Sequence, residues 1–349
     1  MTLTSQSGLQ STLRRALLFS GWLLAVLPAL GAAQGGPPPG MIHGGPPGMP
    51  PGGHMPTPPI RLPTVPLGYN TFVDIHPFKT PLYGIEEFTG YYGSNRINDG
   101  DGHKLPGRNS VDYWFTLVHM HAFPGWKLLG ADYGAWVKLI YVDVDSHIQE
   151  GPMNMHEEGK GLTDLWFSPM MLQWNDGKLF GKVPFWQRID LQMMAPTGEY
   201  HRDQLTNPGA NAWSFDPYYG FTTFLTKKID LSMRLHYLWS ANNRNPELAY
   251  GPGTRTIQNG QAFHMNYAVS YGLTPTLRAG IDGYFLKQTT SDELNGKNVH
   301  GDREMTHAIG PGLVWRYQRF YAFLNSYFET HTENRQQGQE VFLRLGYRL

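Results

Sequence analysis

The sequence predicts an all-β protein: a transmembrane antiparallel β-barrel of about 12 strands, of the outer-membrane type. Three observations carry this. In Ile229–Trp239 the odd positions are Ile229, Leu231, Met233, Leu235, Tyr237 and Trp239, and the even ones are Asp230, Ser232, Arg234, His236 and Leu238. Successive strand side chains point to opposite faces, so this strand has one apolar face ending in Tyr and Trp, which favour a membrane–water boundary. The same alternation recurs in segments long enough to cross a bilayer as tilted strands of about 9–11 residues. Short turns and long polar stretches alternate between them, as periplasmic turns and outer loops do in such barrels.

The chain opens on an expected signal peptide, residues 1–33. Arg14 and Arg15 precede an apolar run from Ala16 to Leu30, followed by Gly31, Ala32 and Ala33. A basic start, a short apolar core and small residues at the cut define a secretory signal; a spanning helix needs about 20 apolar residues, and Pro28 interrupts this run. No later segment is apolar enough for a transmembrane helix, so a membrane location has to be reached by strands.

Residues 34–68 are expected to form a disordered leader, because Pro removes backbone donors and Gly maximises unfolded-state entropy. Met41, His43, Met49, His54 and Met55 carry soft sulfur and imidazole ligands suited to copper. Their spacing is irregular, which fits a spacer better than a built site. No cofactor is expected, with copper the one alternative.

The barrel is expected over residues 69–349. After a short segment, Tyr69–Tyr83, strand candidates centre on Glu87–Ser94, Val111–Phe123, Tyr133–Asp143, Leu162–Trp174, Gln187–Ala195 and Trp213–Thr226. The second half supplies Ile229–Ser240, Gln261–Gly272, Thr276–Gln288, Met305–Tyr317, Phe320–Thr330 and Glu340–Leu349. Expected long loops are Asn95–Asn109, Asp145–Lys160, Thr197–Ala212, Ala241–Gly260, Thr289–Arg303 and His331–Gln339. An even strand count puts both chain ends in the periplasm of a Gram-negative bacterium. About twelve strands closed with the apolar face inward leave a wide dry void, so a soluble barrel is disfavoured against one with a wet lumen and lipid outside.

Composition narrows the classes. The net charge is zero, so nothing favours nucleic acid as a partner. The absence of Cys removes disulfides and thiol chemistry. An outer-membrane lipid enzyme is the less favoured class: there is no Gly-x-Ser-x-Gly, and His156-Glu-Glu-Gly-Lys160 lacks the second His of a zinc motif. His119 and His121 share one strand face as a possible metal pair.

Gly161-Leu-Thr-Asp-Leu165 with Pro169 and Trp174, Pro196-Thr-Gly-Glu-Tyr200, and Asn207-Pro-Gly-Ala-Asn-Ala-Trp-Ser-Phe-Asp-Pro-Tyr218 resemble an outer-membrane family. It is the transporter family named for the meta-cleavage pathway of phenol degradation, and the resemblance spans Phe88 to Leu349. It implies a channel or transporter for small apolar or aromatic solutes, and it carries over no residue roles. The final strand, with Val341, Leu343, Leu345, Tyr347 and Leu349 on one face, resembles the signal read by the barrel-assembly machinery, with Leu349 in place of the usual terminal aromatic. Expected partners are outer-membrane lipids, that machinery and a small-molecule solute. A copper-handling or scaffold barrel using the Met/His leader is the alternative function.

The alternation places Asp164, Arg188, Asp190, Asp216, Tyr218, Asp230, Arg234, His236, His264, Arg278 and Asp282 on the inner face. Both signs of charge occur, so these residues are candidates to pair across the lumen and set its width and selectivity.

Overall fold

Lipid offers a backbone N–H or C=O no partner, so a sheet can span it only by closing on itself. This chain does so. In the computed structural model, which describes residues 67–69, 72–150 and 153–349, twelve antiparallel strands form one barrel. They are β1 Leu82–Ile97, β2 Ser110–Phe123, β3 Ala131–Glu150, β4 in two pieces (Met153–Leu162 and Leu165–Trp174), β5 in two pieces (Val183–Asp190 and Met193–Ala195) and β6 in two pieces (Ser214–Phe215 and Tyr218–Phe224). The rest are β7 Ile229–Ser240, β8 Ala262–Gly272, β9 Leu277–Gln288, β10 Met305–Tyr317, β11 Phe320–Glu333 and β12 Gln336–Arg348. Closure is made by β1 on β12, from Gly84 opposite Arg348 to Ser94 opposite Gly338. The expected signal peptide and the leader up to residue 66, including Met41, His43, Met49, His54 and Met55, lie outside the described residues.

The two faces separate as the alternation predicts. In β7, Asp230, Ser232, Arg234, His236, Leu238 and Ser240 are buried, while Tyr237 and Trp239 are exposed. Exposed Leu139, Val269, Ile281, Leu313 and Leu324 belong to an outward apolar band. Tyr83, Tyr271, Trp315 and Tyr317 flank it at the short-turn rim, and Trp114, Trp213 and Trp239 at the other. Two aromatic girdles bounding an apolar band mark an outer-membrane barrel. Short turns such as 225–228, 273–276 and 318–319 share a rim with the start of β1 and the end of β12, and short turns are periplasmic in such barrels.

Two expected loops are strand instead. Asp145–Lys160 forms a tall hairpin in which β3 and the first piece of β4 pair from Tyr141 opposite Leu162 to Glu150 opposite Met153. Likewise β11 and β12 reach a two-residue turn at 334–335, where a loop over His331–Gln339 is expected. Charged side chains hide these extensions from a hydropathy reading. Above the membrane an outward face meets water, so Asp143 and Asp145 stand exposed while Val142, Val144 and Ile148 remain inward.

The wall is irregular on one side. Register shifts on β4 between its pairings with Gly134 and Trp136 of β3, around Pro169, which has no N–H to donate. The neighbouring strands β5 and β6 break at Leu191–Gln192 and Asp216–Pro217. The freed backbone groups find partners across the breaks: Leu191 N–H donates to Met170 O, Asp216 N–H to Gln192 O and Tyr237 N–H to Pro217 O.

The outward face of β7 makes a direct test. Leu235→Arg places a charge against lipid near mid-height, at a cost of about 2–4 kcal/mol. The expected outcome is loss of the heat-modifiable folded band on a gel and reduced recovery from outer membranes. Unchanged assembly contradicts the assignment of faces.

Candidate functional site

The lumen is occupied by the chain itself. Residues 67–69 and 72–80, ahead of β1, thread the interior and bond to the side chains that β6–β11 turn inward. Gly68 N–H donates to Asn266 Oδ1 (2.9 Å), and its carbonyl accepts Tyr327 O–H (2.7 Å). Val73, Asp74 and Ile75 donate their N–H groups to Asp230, Ser232 and Thr222 at 3.2, 3.3 and 3.0 Å. The carbonyls of Phe72 and Val73 accept from Arg316. A backbone without sheet partners is thus satisfied by side chains, the condition for burying it. The Asp74 carboxylate takes Arg234 in a two-pronged ion pair, 2.5 Å to Nε and 2.8 Å to a terminal nitrogen.

The wall is shaped for this segment. A Cβ on Gly312 of β10 would lie 2.7 Å from the Phe72 ring, and one on Gly220 of β6 would lie 2.8 Å from Ile75 Cδ1. Phe72 and Ile75 are fully buried, and Phe72 packs with Ala268, Val314, Tyr321 and Phe323. Tyr69 packs tilted or edge-on among Phe88, Phe115 and Phe342 at ring-centroid distances of 5.5–5.8 Å. Leu67 and Gly68, the last residues of the expected leader, are buried with this segment and not part of a free tail.

The candidate lumen residues group into separate pairs. Arg234 belongs to Asp74, and Arg278 pairs with Asp230, which also accepts Ser270 O–H. Arg188 bonds to Gln173 and more loosely to Tyr218 O–H at 3.5 Å; Tyr218 also lies under the Arg234 guanidinium. Asp190 accepts the Trp136 N–H (2.8 Å), and Asp282 accepts from Asn325 and Tyr327. Asp164 stands apart, at the break within β4, where its oxygens accept the N–H groups of Gly198 and Ala210 and tether the 196–213 loop. Asp74, Glu86, Lys138 and Arg316 were not among the candidates. The signal for a lumenal segment was an inner wall left bare by the glycines at Gly220 and Gly312.

Two lumenal groups have metal-type composition, the first fully buried and the second partly so. Asp216, His236 and His264 are fully buried, with imidazole nitrogens 3.1 and 2.9 Å from the two carboxylate oxygens and rings stacked at 4.1 Å. Glu86, His119 and His121 form the second, with His119 Nδ1 2.7 Å from Glu86 and Arg344 and Tyr321 also bonded to that carboxylate. Asp99, Asp101 and His103, and the exposed Asp145, His156 and Glu158, are looser surface groups.

Tyr69 divides the remaining space, lying on the wall of two chambers. The outer one is mostly apolar, with Tyr113, Phe115, Ile140, Val142, Trp166 and Leu286, and its ionisable groups are Asp164, Glu247, Glu304 and Arg335. The periplasmic one reverses the charge balance and is rich in Arg and Lys.

A closed twelve-stranded barrel with an aromatic-girdled exterior and a lined lumen is an outer-membrane protein of the channel type. The chain belongs to the family described as "Putative MetA-pathway of phenol degradation", matched over residues 94–345. Its fold is similar to that of an outer-membrane channel from Pseudomonas putida F1, with 14% identity, a TM-score of 0.68, and coverage of 79% of this chain and 98% of that one. More distant are the translocator domain of the autotransporter NalP from Neisseria meningitidis (9% identity, TM-score 0.41, covering 78% and 90%) and the NanC porin (10%, 0.40, 75% and 97%). A search of curated proteins found no match.

The Asp74–Arg234 pair is the strongest polar link between segment and wall. Asp74→Ala leaves Arg234 buried without its carboxylate, at a cost of roughly 3–5 kcal/mol to the seated state. The expected outcome is a protein that assembles normally but shows larger or more frequent openings in planar bilayers. Gly312→Val, which drives a side chain into Phe72, should act in the same direction. Unchanged single-channel records in both variants contradict a segment held in this way.

Proposed function

We propose that this barrel passes small apolar or aromatic solutes across the outer membrane, with the lumenal segment as its constriction. The single observation that carries the reading is the outer chamber: apolar and aromatic side chains line it down to Tyr69. Aromatic walls offer a solute flat apolar surface and edge or face contacts worth about 0.5–1.5 kcal/mol per ring pair. Buried charge pairs such as Asp74–Arg234, Asp230–Arg278 and Glu86–Arg344 keep the bore narrow. The family description supports aromatic compounds as cargo, and phenol is the natural probe.

The Tyr69 ring meets Phe88, Phe115 and Phe342 where the chambers join, so it is the position to alter. In liposomes carrying the purified protein, phenol and benzyl alcohol should enter faster than a sugar of similar mass. Tyr69→Ala should raise the rate for all three and narrow the difference between them. Uptake no faster than in protein-free liposomes, in both proteins, overturns the reading.

A further inference from the structure

We infer that the periplasmic chamber is a binding site for a small aromatic carboxylate, received by Lys138 and the arginines beside it. This rests on the channel reading above and narrows its solute class. The chamber wall carries Lys138, Arg188, Arg234, Arg316, Arg344 and Arg348 against Asp74 and Glu86. Arg234 is cancelled by Asp74 and Arg344 by Glu86. Arg188 is bonded to Gln173 and Tyr218, and Arg316 to two carbonyls, all of them neutral. Neither the Lys138 ammonium nor the Arg348 guanidinium has a hydrogen-bond or ion-pair partner among the described residues. Asp190, hydrogen-bonded to the Trp136 indole, does not line the chamber. Counting it, six cations face three carboxylates.

Lys138 is 5% exposed. The side chain is buried while its ammonium opens on the chamber without an acceptor, and an anion is the group that complements it. The Nε–H groups of Arg316 and Arg344, also on this wall, are buried without an acceptor. Guanidinium groups on a cavity wall suit a carboxylate.

The ring of the ligand is read from the same place. The Lys138 ammonium sits 4.5 Å from the centre of the Trp136 ring and 5.8 Å from that of Trp166, and Phe88 and Phe123 also face the chamber or its cations. A charge set among aromatic faces matches a carboxylate attached to an aromatic ring better than a bare inorganic ion. The positive excess also works against a metal cation at Glu86, His119 and His121. Across Tyr69, the outer chamber has Asp164, Glu247 and Glu304 against Arg335, so the positive excess belongs to the periplasmic side alone.

The test is calorimetric titration of the folded full-length protein in detergent micelles with sodium benzoate, with benzyl alcohol as the neutral shape match and sodium sulfate as the inorganic anion. Benzoate should bind saturably and about ten-fold tighter than either comparison ligand. Lys138→Met and Lys138→Gln should each weaken benzoate by about ten-fold, and Arg255→Gln, in an outer loop, should leave it unchanged. Equal affinity for benzoate and benzyl alcohol, equal affinity for sulfate, or full benzoate affinity in folded Lys138 variants overturns the inference. Titration needs no conduction, so the two readings fail separately. Benzoate binding by a protein that passes no solute overturns the channel reading, and phenol passage without benzoate preference overturns this one.

Discussion

Closure of the sheet is the constraint on which the rest of this molecule depends. Within lipid the backbone of every strand must bond to a neighbour, and here the last strand bonds to the first. Once the ring is closed and its outside is apolar, every polar side chain of the spanning strands has only the lumen to occupy. Twelve strands enclose more volume than those side chains fill. The chain solves both problems with one segment: residues 67–69 and 72–80 fill space and supply N–H donors, carbonyls and the Asp74 carboxylate to wall groups such as Asn266, Asp230, Arg316 and Arg234.

The wall is adapted to that segment in detail. Asp230, Ser232 and Thr222 sit where three successive N–H groups point, and Gly220 and Gly312 are bare where Ile75 and Phe72 press closest. The interrupted strands β4–β6 lie on one side, where Pro169 and Pro217 cannot donate to a ladder. The remaining lumen is two unlike spaces joined at Tyr69, one apolar and slightly acidic, the other strongly basic. A solute crossing the barrel meets the aromatic surface first and the cations second.

Much of this was legible in the sequence because a strand's period of two survives whatever its two faces contact. Ile229–Ser240 and Met305–Tyr317 run between the expected residues, and the inward placement of Asp230, Arg234, His236 and Asp282 follows from parity alone. The tall hairpin through Asp145–Lys160 was lost because above the membrane the outward face is charged and reads as loop. Partners were lost for a different reason. Periodicity says that Arg234 points inward but not that Asp74, 160 residues earlier in the chain, comes back to meet it. Nor does it show that Lys138 has no such partner, since pairing across a lumen depends on a three-dimensional enclosure that no local pattern records.

The central claim is that residues 72–80 sit inside the barrel, with Ile75 against β6. The chain has no native cysteine, so a single engineered pair reports on it without background. Ile75→Cys combined with Gly220→Cys places two thiols at the contact where Ile75 Cδ1 meets the bare wall. In intact outer membranes, a short bifunctional thiol reagent should link this pair in most molecules. The link should shift mobility on a denaturing gel, and neither single variant should show it. Absence of the link in a barrel that is folded by heat modifiability contradicts the account.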